Sequence, residues 1–174
     1  MYPKEYVDYL VHFHGDRDYF ECHEILEDYW KQTDSGNKES IWVGLILIAV
    51  SAYHHRRRNF SGAKRTLEKA IKACELGRAS LSKLGLDEAT LLALLHERQV
   101  MIDMKQLYTS FSLPIHDSAL LNECLKTCMQ YGLKWNTESD LSNDLIIHRH
   151  TLRDRSGVIA ERNRRLQSKK ATDC

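Results

Sequence analysis

Tyr6, Tyr9, Leu10 and Phe13 recur at spacings of three and four, the period of a helix that buries one stripe. Gly15 and Asp16 break that helix, and Asp16 is the expected N-cap of a second one, whose inward side is marked by Tyr19, Phe20, Leu26 and Trp30. "TDSGN", Thr33 to Asn37, is a turn by composition. A third helix is expected over about Lys38 to Arg58. It contains the apolar run "IWVGLILIAVSAY", which would be roughly 20 Å long as a helix against a hydrocarbon core of about 30 Å. That length suits a buried central helix and no membrane span. A fourth helix, from near Ser61, turns Ala63, Leu67, Ala70, Ile71 and Cys74 inward and Lys64, Arg65, Lys69 and Lys72 outward. "LGLD" at Leu84 to Asp87 caps a fifth, with Leu91, Leu94, Leu95, Met101, Ile102 and Tyr108 as its stripe. Pro114 punctuates, and a sixth helix over about Asp117 to Tyr131 carries Leu120, Leu121, Leu125 and Cys128. No period-two stretch is evident.

The expected fold is therefore an all-α antiparallel bundle of about six helices. "RDYFECHEILEDYW" (17–30) also lies on "RNFSGAKRTLEKAI" (58–71) at an offset of 41, with Arg17 on Arg58 and Leu26–Glu27 on Leu67–Glu68. This faint repeat fits two stacked helical hairpins within the first four helices. Residues 1–132 read as the helical core, and 133–174 as a polar linker followed by a basic, partly amphipathic segment, either docked or loose. The closing "KKATDC" reads as disordered.

Composition narrows the class. At 174 residues, 43% apolar and 28% charged, the chain suits one globular domain able to bury a core. Five cysteines, an odd number with no framework spacing, point to reduced thiols in a cytoplasm, as does a mixed, charged N-terminus. Cys124 and Cys128 read as core residues, since a metal site would need further ligands. The net charge of +1 conceals alternation: −6 over residues 1–40, +7 over 56–83, −5 over 84–148 and +6 over 149–170. Either neighbouring helices complement one another or the basic blocks meet phosphate.

Two clusters carry candidate chemistry. His23 and Glu27 are at i and i+4, with Trp30 close on the same helix. Turned inward, they would pair with each other and fix helix register. The same atoms could serve a general base or a metal ligand. "His23-Glu24-x-x-Glu27" lacks the second histidine of the helical zinc motif. His54 or His55 is the tempting substitute, but in an antiparallel hairpin His54 falls near 9 Å along the axis from the level of His23. No metal ligand set and no cofactor are assigned. In "YHHRRRN", Tyr53 to Asn59, the arginines either complement a helix C-terminus or, with Gly62, hold an anion at the next helix N-terminus. Exposed aromatics interleaved with these charges are lacking, which disfavours nucleic acid.

These clusters together, His23-xxx-Glu27-xx-Trp30 followed by "GLILIAVSAYHHRRRNFSGAKRTLEKA", resemble the bacterial and archaeal family catalogued as domain of unknown function 309, over roughly residues 10–75. "HTLRDRSGVIAERN" resembles the tail of Bacillus-type members. The resemblance implies a small helical protein of uncharacterised function, with His23, Glu27, Trp30, Gly44, Tyr53, His54, Asn59, Gly62 and Ala63 as characteristic positions. Leu47 stands where relatives often carry Gln, which would weaken a polar network between helices two and three, and Arg58 where Gly is usual. The expected function is a cytoplasmic, non-catalytic binding module for a protein or phosphate-bearing partner. Its signature polar site would be His23, Glu27, Trp30, Tyr53, His54 and Asn59, forming a notch between the two hairpins. Arg56, Arg57, Arg58 and Gly62 are the candidate anion site. The alternatives are a hydrolytic or metal-dependent enzyme using His23 and Glu27, and a purely structural role; self-association stays open.

Overall fold

The computed structural model describes residues 1–152, which form nine helices and no strand, so the fold is all-α. Helices α1 (Lys4–His14) and α2 (Tyr19–Thr33) make one hairpin, and α3 (Ile41–Arg56) and α4 (Phe60–Leu76) make a second. The hairpins meet along α2 and α3, while α6 (Glu88–Asp103) covers α4 and α7 (Ser118–Gln130) covers α1. Three short pieces, α5 (Arg78–Lys83), α8 (Asp144–Ile147) and α9 (Arg149–Leu152), complete the described chain. No described helix is long and apolar enough to cross a membrane.

The repeat at an offset of 41 is visible in the backbone. Arg17 and Arg58 both adopt left-handed φ angles, 56° and 60°. In each hairpin the next residue caps the following helix: Asp18 accepts from Glu21 N at 3.0 Å, and Asn59 Oδ1 accepts from Gly62 N at 3.0 Å. A left-handed residue reverses the chain, and the short side chain after it reaches a helix-start N–H that lacks an intrahelical partner. The N-cap expected at Asp16 thus lies two residues later. Asp16 instead braces the turn, accepting from Asp18 N at 3.2 Å and pairing with His12 at 3.1 Å.

Helix α3 is apolar on nearly every side and is largely enclosed, its Val43–Leu47 edge staying half-open. Leu45, Ile48, Ala49 and Ala52 are buried against Tyr9, Leu26, Ala63, Leu67 and other core residues. Gly44 lets α4 approach: a Cβ there would lie 3.2 Å from the Ala73 Cβ. The expected stripe of α6 is partly corrected. Leu91, Leu92, Leu95 and Ile102 are buried together with Arg98, Leu94 and Met101 are half-buried, and Tyr108 lies beyond the helix end. Arg98 tolerates burial because its guanidinium lies over the Phe111 and Tyr108 rings, at 4.4 and 5.4 Å, and donates to Thr109 Oγ1 at 2.9 Å. Cys22, Cys74, Cys124 and Cys128 are buried free thiols, and burial pushes Cys74 and Cys124 up to about 12.

The polar stretch after Leu133 lies on the first hairpin. Trp135 stacks on His14 with centroids 4.4 Å apart, and Thr137 N donates to the His14 carbonyl at 3.1 Å. Cys174 and the residues of the basic tail after 152 lie outside the described residues.

Candidate functional site

Helix α2 buries Tyr19, Cys22 and Leu26. Positions 23 and 27 fall about 100° further round the helix from 22 and 26, so His23 and Glu27 sit on its flank, their side chains 30% and 33% exposed. They lie side by side as their spacing predicts, but at the half-open surface and not inside the core. The His23 Nε2 is 3.2 Å from Glu27 Oε2, and its Nδ1 is 3.1 Å from Glu24 Oε1. Lys31 Nζ holds the other Glu27 oxygen at 3.0 Å.

His23, Glu24 and Glu27 are the group that could hold a metal among the described residues, each offering one ligand atom within 4.8 Å of the others. One ring nitrogen would ligate while a carboxylate oriented the other. Neither His54 nor His55 joins them. His54 Nδ1 accepts from Asn59 Nδ2 at 3.1 Å, and His55 Nε2 donates to the Gln106 carbonyl at 2.9 Å. Burial pushes the pKa of both rings down.

The other signature residues divide into separate structural tasks. Phe20 bridges the seam between the hairpins, its ring 6.2 Å from His23 and 6.4 Å from Tyr53. The Tyr53 hydroxyl meets His150 Nδ1 at 2.6 Å. Asn59 caps α4, and Gly62 leaves room for that cap, since a Cβ there would sit 2.7 Å from the Asn59 side-chain nitrogen and push it aside. Trp30 donates to the Asn37 carbonyl at 3.1 Å and so fastens the turn after α2. Leu47 does not interrupt a polar network with α2: it lines a groove shared with Lys69 and Lys72 of α4.

The arginines gather elsewhere than expected. With Gly62 N engaged by Asn59, the α4 N-terminus is already capped, and Arg56, Arg57 and Arg58 face a different cleft. Its volume is about 340 Å³, and its wall is completed by Leu107, Tyr108, Leu141, Ile147 and His148. Arg56 is 7% exposed, with one guanidinium nitrogen donating to the Arg17 carbonyl at 2.7 Å and to Ser139 Oγ at 3.0 Å. Its group lies 4.7 Å over the Tyr19 ring, and its Nε is buried with no hydrogen-bond partner among the described residues. Arg57 Nε donates to His148 Nδ1 at 3.2 Å, and Arg58 is exposed. No carboxylate lines the cleft, and none of the three arginines is ion-paired among the described residues. The nearest acids by sequence are exposed: Asp140, next to Leu141, accepts from Ser142, and Asp144 lies 4.0 Å from His148 Nε2.

Arg149 belongs to neither cluster that the sequence pattern marks. It pairs with Asp18 and, at 2.8 Å, with Glu21, across a cleft of about 640 Å³ that Phe20 and Glu24 also line. The signal was the charge alternation: a residue of the basic +6 block meets the acidic N-terminal block.

The signature residues thus lie at separate places on two repeated hairpins: His23 and Glu27 on the flank of α2, Trp30 at the turn after it, and His54 and Asn59 at the turn before α4. The family model "Domain of unknown function (DUF309)" matches residues 6–66. YpuF, an uncharacterized protein of Bacillus subtilis (strain 168), is 44% identical over 170 residues, 98% of each chain. The chain belongs to the DUF309 family. It is a Bacillus-type DUF309 member, and no solved structure matches it. The matched span ends within α4, so it holds both capped turns and the three arginines, while the DUF309 match leaves out the wall formed by residues 107–148.

Proposed function

We propose that this DUF309 protein is a cytoplasmic, non-catalytic module that binds a small phosphate ester in the Arg56–Arg57–Arg58 cleft. One observation supports the reading: three arginines line a cleft with no lining carboxylate, and the buried Nε of Arg56 has no acceptor among the described residues. A buried donor left unpaired costs about 1–3 kcal/mol. Phosphate oxygens match the arginine fork, and Leu107, Leu141 and Ile147 offer an apolar wall to the organic part of a ligand. The volume suits a small ligand. Buried thiols of raised pKa offer no nucleophile, and they are consistent with a reducing compartment.

Arg58 separates binding from stability. Its φ of 60° is left-handed, which strains an arginine and not a glycine. Arg58→Gly should therefore stabilise the fold by roughly 1 kcal/mol while weakening phosphate binding about tenfold through loss of one charge-assisted contact. Thermal shift and calorimetry with inorganic phosphate, a nucleoside monophosphate and a phosphopeptide, at low and high salt, make the comparison. Unchanged affinity in the variant, or no salt-sensitive stabilisation of the parent by any of these, would remove the reading.

The His23, Glu24 and Glu27 group favours one other reading, metal-dependent hydrolysis with Glu27 as ligand or base. Elemental analysis of untagged protein decides it: a stoichiometric metal lost in Glu27→Gln would establish the site. Without metal, this is a half-exposed histidine–carboxylate contact, and His23→Ala or Glu27→Gln should cost under about 1 kcal/mol in urea unfolding. A loss of several kcal/mol would instead give the pair a structural role.

A further inference from the structure

We infer that the groove between the N-terminal half of α3 and the C-terminal half of α4 docks an acidic amphipathic helix of another protein. The site lies apart from the arginine cleft. Val43 and Leu47 form its floor on α3, and Ala73 and Leu76 on α4, enclosing about 470 Å³. Leu76 is 62% exposed. A central helix apolar on all sides is normally covered on all sides. Here α2 and α4 cover most of α3, and the Val43–Leu47 edge stays half-open.

Charge selects the occupant. Lys38, Lys69 and Lys72 rim the groove, with Glu39 as the carboxylate in its lining. None of these lysines is ion-paired among the described residues, whereas Lys64 on the same helix pairs with Asp103 and Glu68. A two-fold contact between copies would bring this lysine rim against itself, which like-charge repulsion opposes. Two antiparallel helices present ridges and a groove to a third helix. An incoming helix would place apolar side chains at i and i+4 over Leu47 and Leu76, with Asp or Glu beside them facing Lys69 and Lys72.

The test selects a displayed library of amphipathic helical peptides, with flanking positions varied among Asp, Glu, Lys, Arg and Ser, against the full chain. Enriched peptides should carry acidic flanks. Their affinity should fall at least about tenfold in Leu47→Glu and in Leu76→Glu, since each puts a carboxylate into the apolar contact and against the acidic flanks. Lys69→Glu with Lys72→Glu should weaken them about tenfold at low salt and reverse the preference toward basic flanks. Circular dichroism melts confirm folding, and Leu76 is exposed enough to serve alone if Leu47→Glu unfolds. Arg58→Gly should leave peptide binding unchanged, so this result and phosphate binding stand or fall separately. Enrichment without acidic bias, no enrichment, binding indifferent to both leucine variants, or a dimer that Leu76→Glu dissociates would each overturn the assignment.

Discussion

Arg17→Ala is expected to destabilise the protein by about 3–5 kcal/mol, because three carbonyls lose a largely buried donor at roughly 1–3 kcal/mol each, less what entering water restores. Arg17 is buried and ties distant segments together. Its Nε donates to the Thr137 carbonyl at 2.8 Å, and one terminal nitrogen to the carbonyls of Phe13, at 3.0 Å, and Phe111. Its own carbonyl accepts from Arg56 at 2.7 Å, which links the left-handed turn of the first hairpin to the end of α3. Alanine would keep the left-handed backbone and lose the donors. Lysine should recover only a minor part, because a single ammonium does not reproduce the planar fork. Against a typical domain stability of about 5–15 kcal/mol the effect is large. Urea unfolding measures it, and a change under about 1 kcal/mol would show that the segments around Phe111 and Thr137 are held by other contacts.

Acid is expected to weaken the fold before carboxylates protonate, and His14 is the main cause. Its ring is buried, donates from Nδ1 to the Leu10 carbonyl at 2.8 Å, and accepts at Nε2 from Leu113 N at 3.0 Å. Those two bonds require the neutral tautomer. Burial, reinforced by nearby Arg17, pushes its pKa down to about 4. In the unfolded chain the ring titrates near the ordinary value of about 6.5. Between these values the unfolded state binds more protons, so stability rises with pH there and is lost as pH falls. The His14 contribution, intact above about pH 6.5, declines by about 3 kcal/mol by pH 4. His54 and His55, lowered by burial, act in the same direction. Unfolding free energies of the parent and His14→Gln from neutral pH to pH 4 isolate the term. The variant should start less stable and show a flatter pH dependence; parallel slopes would exclude His14 as the source.

Much of the bundle was legible because helical periodicity is local. The stripe in α1, the apolar run of α3 and the inward set of α4 each follow from positions three and four apart. The Asp87 cap was readable from its turn, and it accepts from Thr90 N at 2.7 Å. The repeat was legible only faintly, since few identities survive. Its clearest signature is a pair of left-handed arginines, which no side-chain pattern announces. The N-cap moved from Asp16 to Asp18 for the same reason: several acidic residues near a helix start compete, and backbone geometry chooses among them. His23 beside Glu27 was readable from spacing, but their half-exposure was not, because it depends on which neighbouring stripe of α2 the other helices cover.

The order of hydrophobic and polar residues by itself determined that the chain is helical, where its principal helices lie, and that His23 and Glu27 share a turn; these are consequences of contacts within four residues. Only the tertiary structure decided that Arg56, Arg57 and Arg58 meet Leu107, Leu141 and His148, that Arg17 joins segments 94 and 120 residues away, and that Arg149 returns to Asp18. Such meetings are set by how whole helices pack to exclude water, and a pattern with a period of three to four residues carries no record of them.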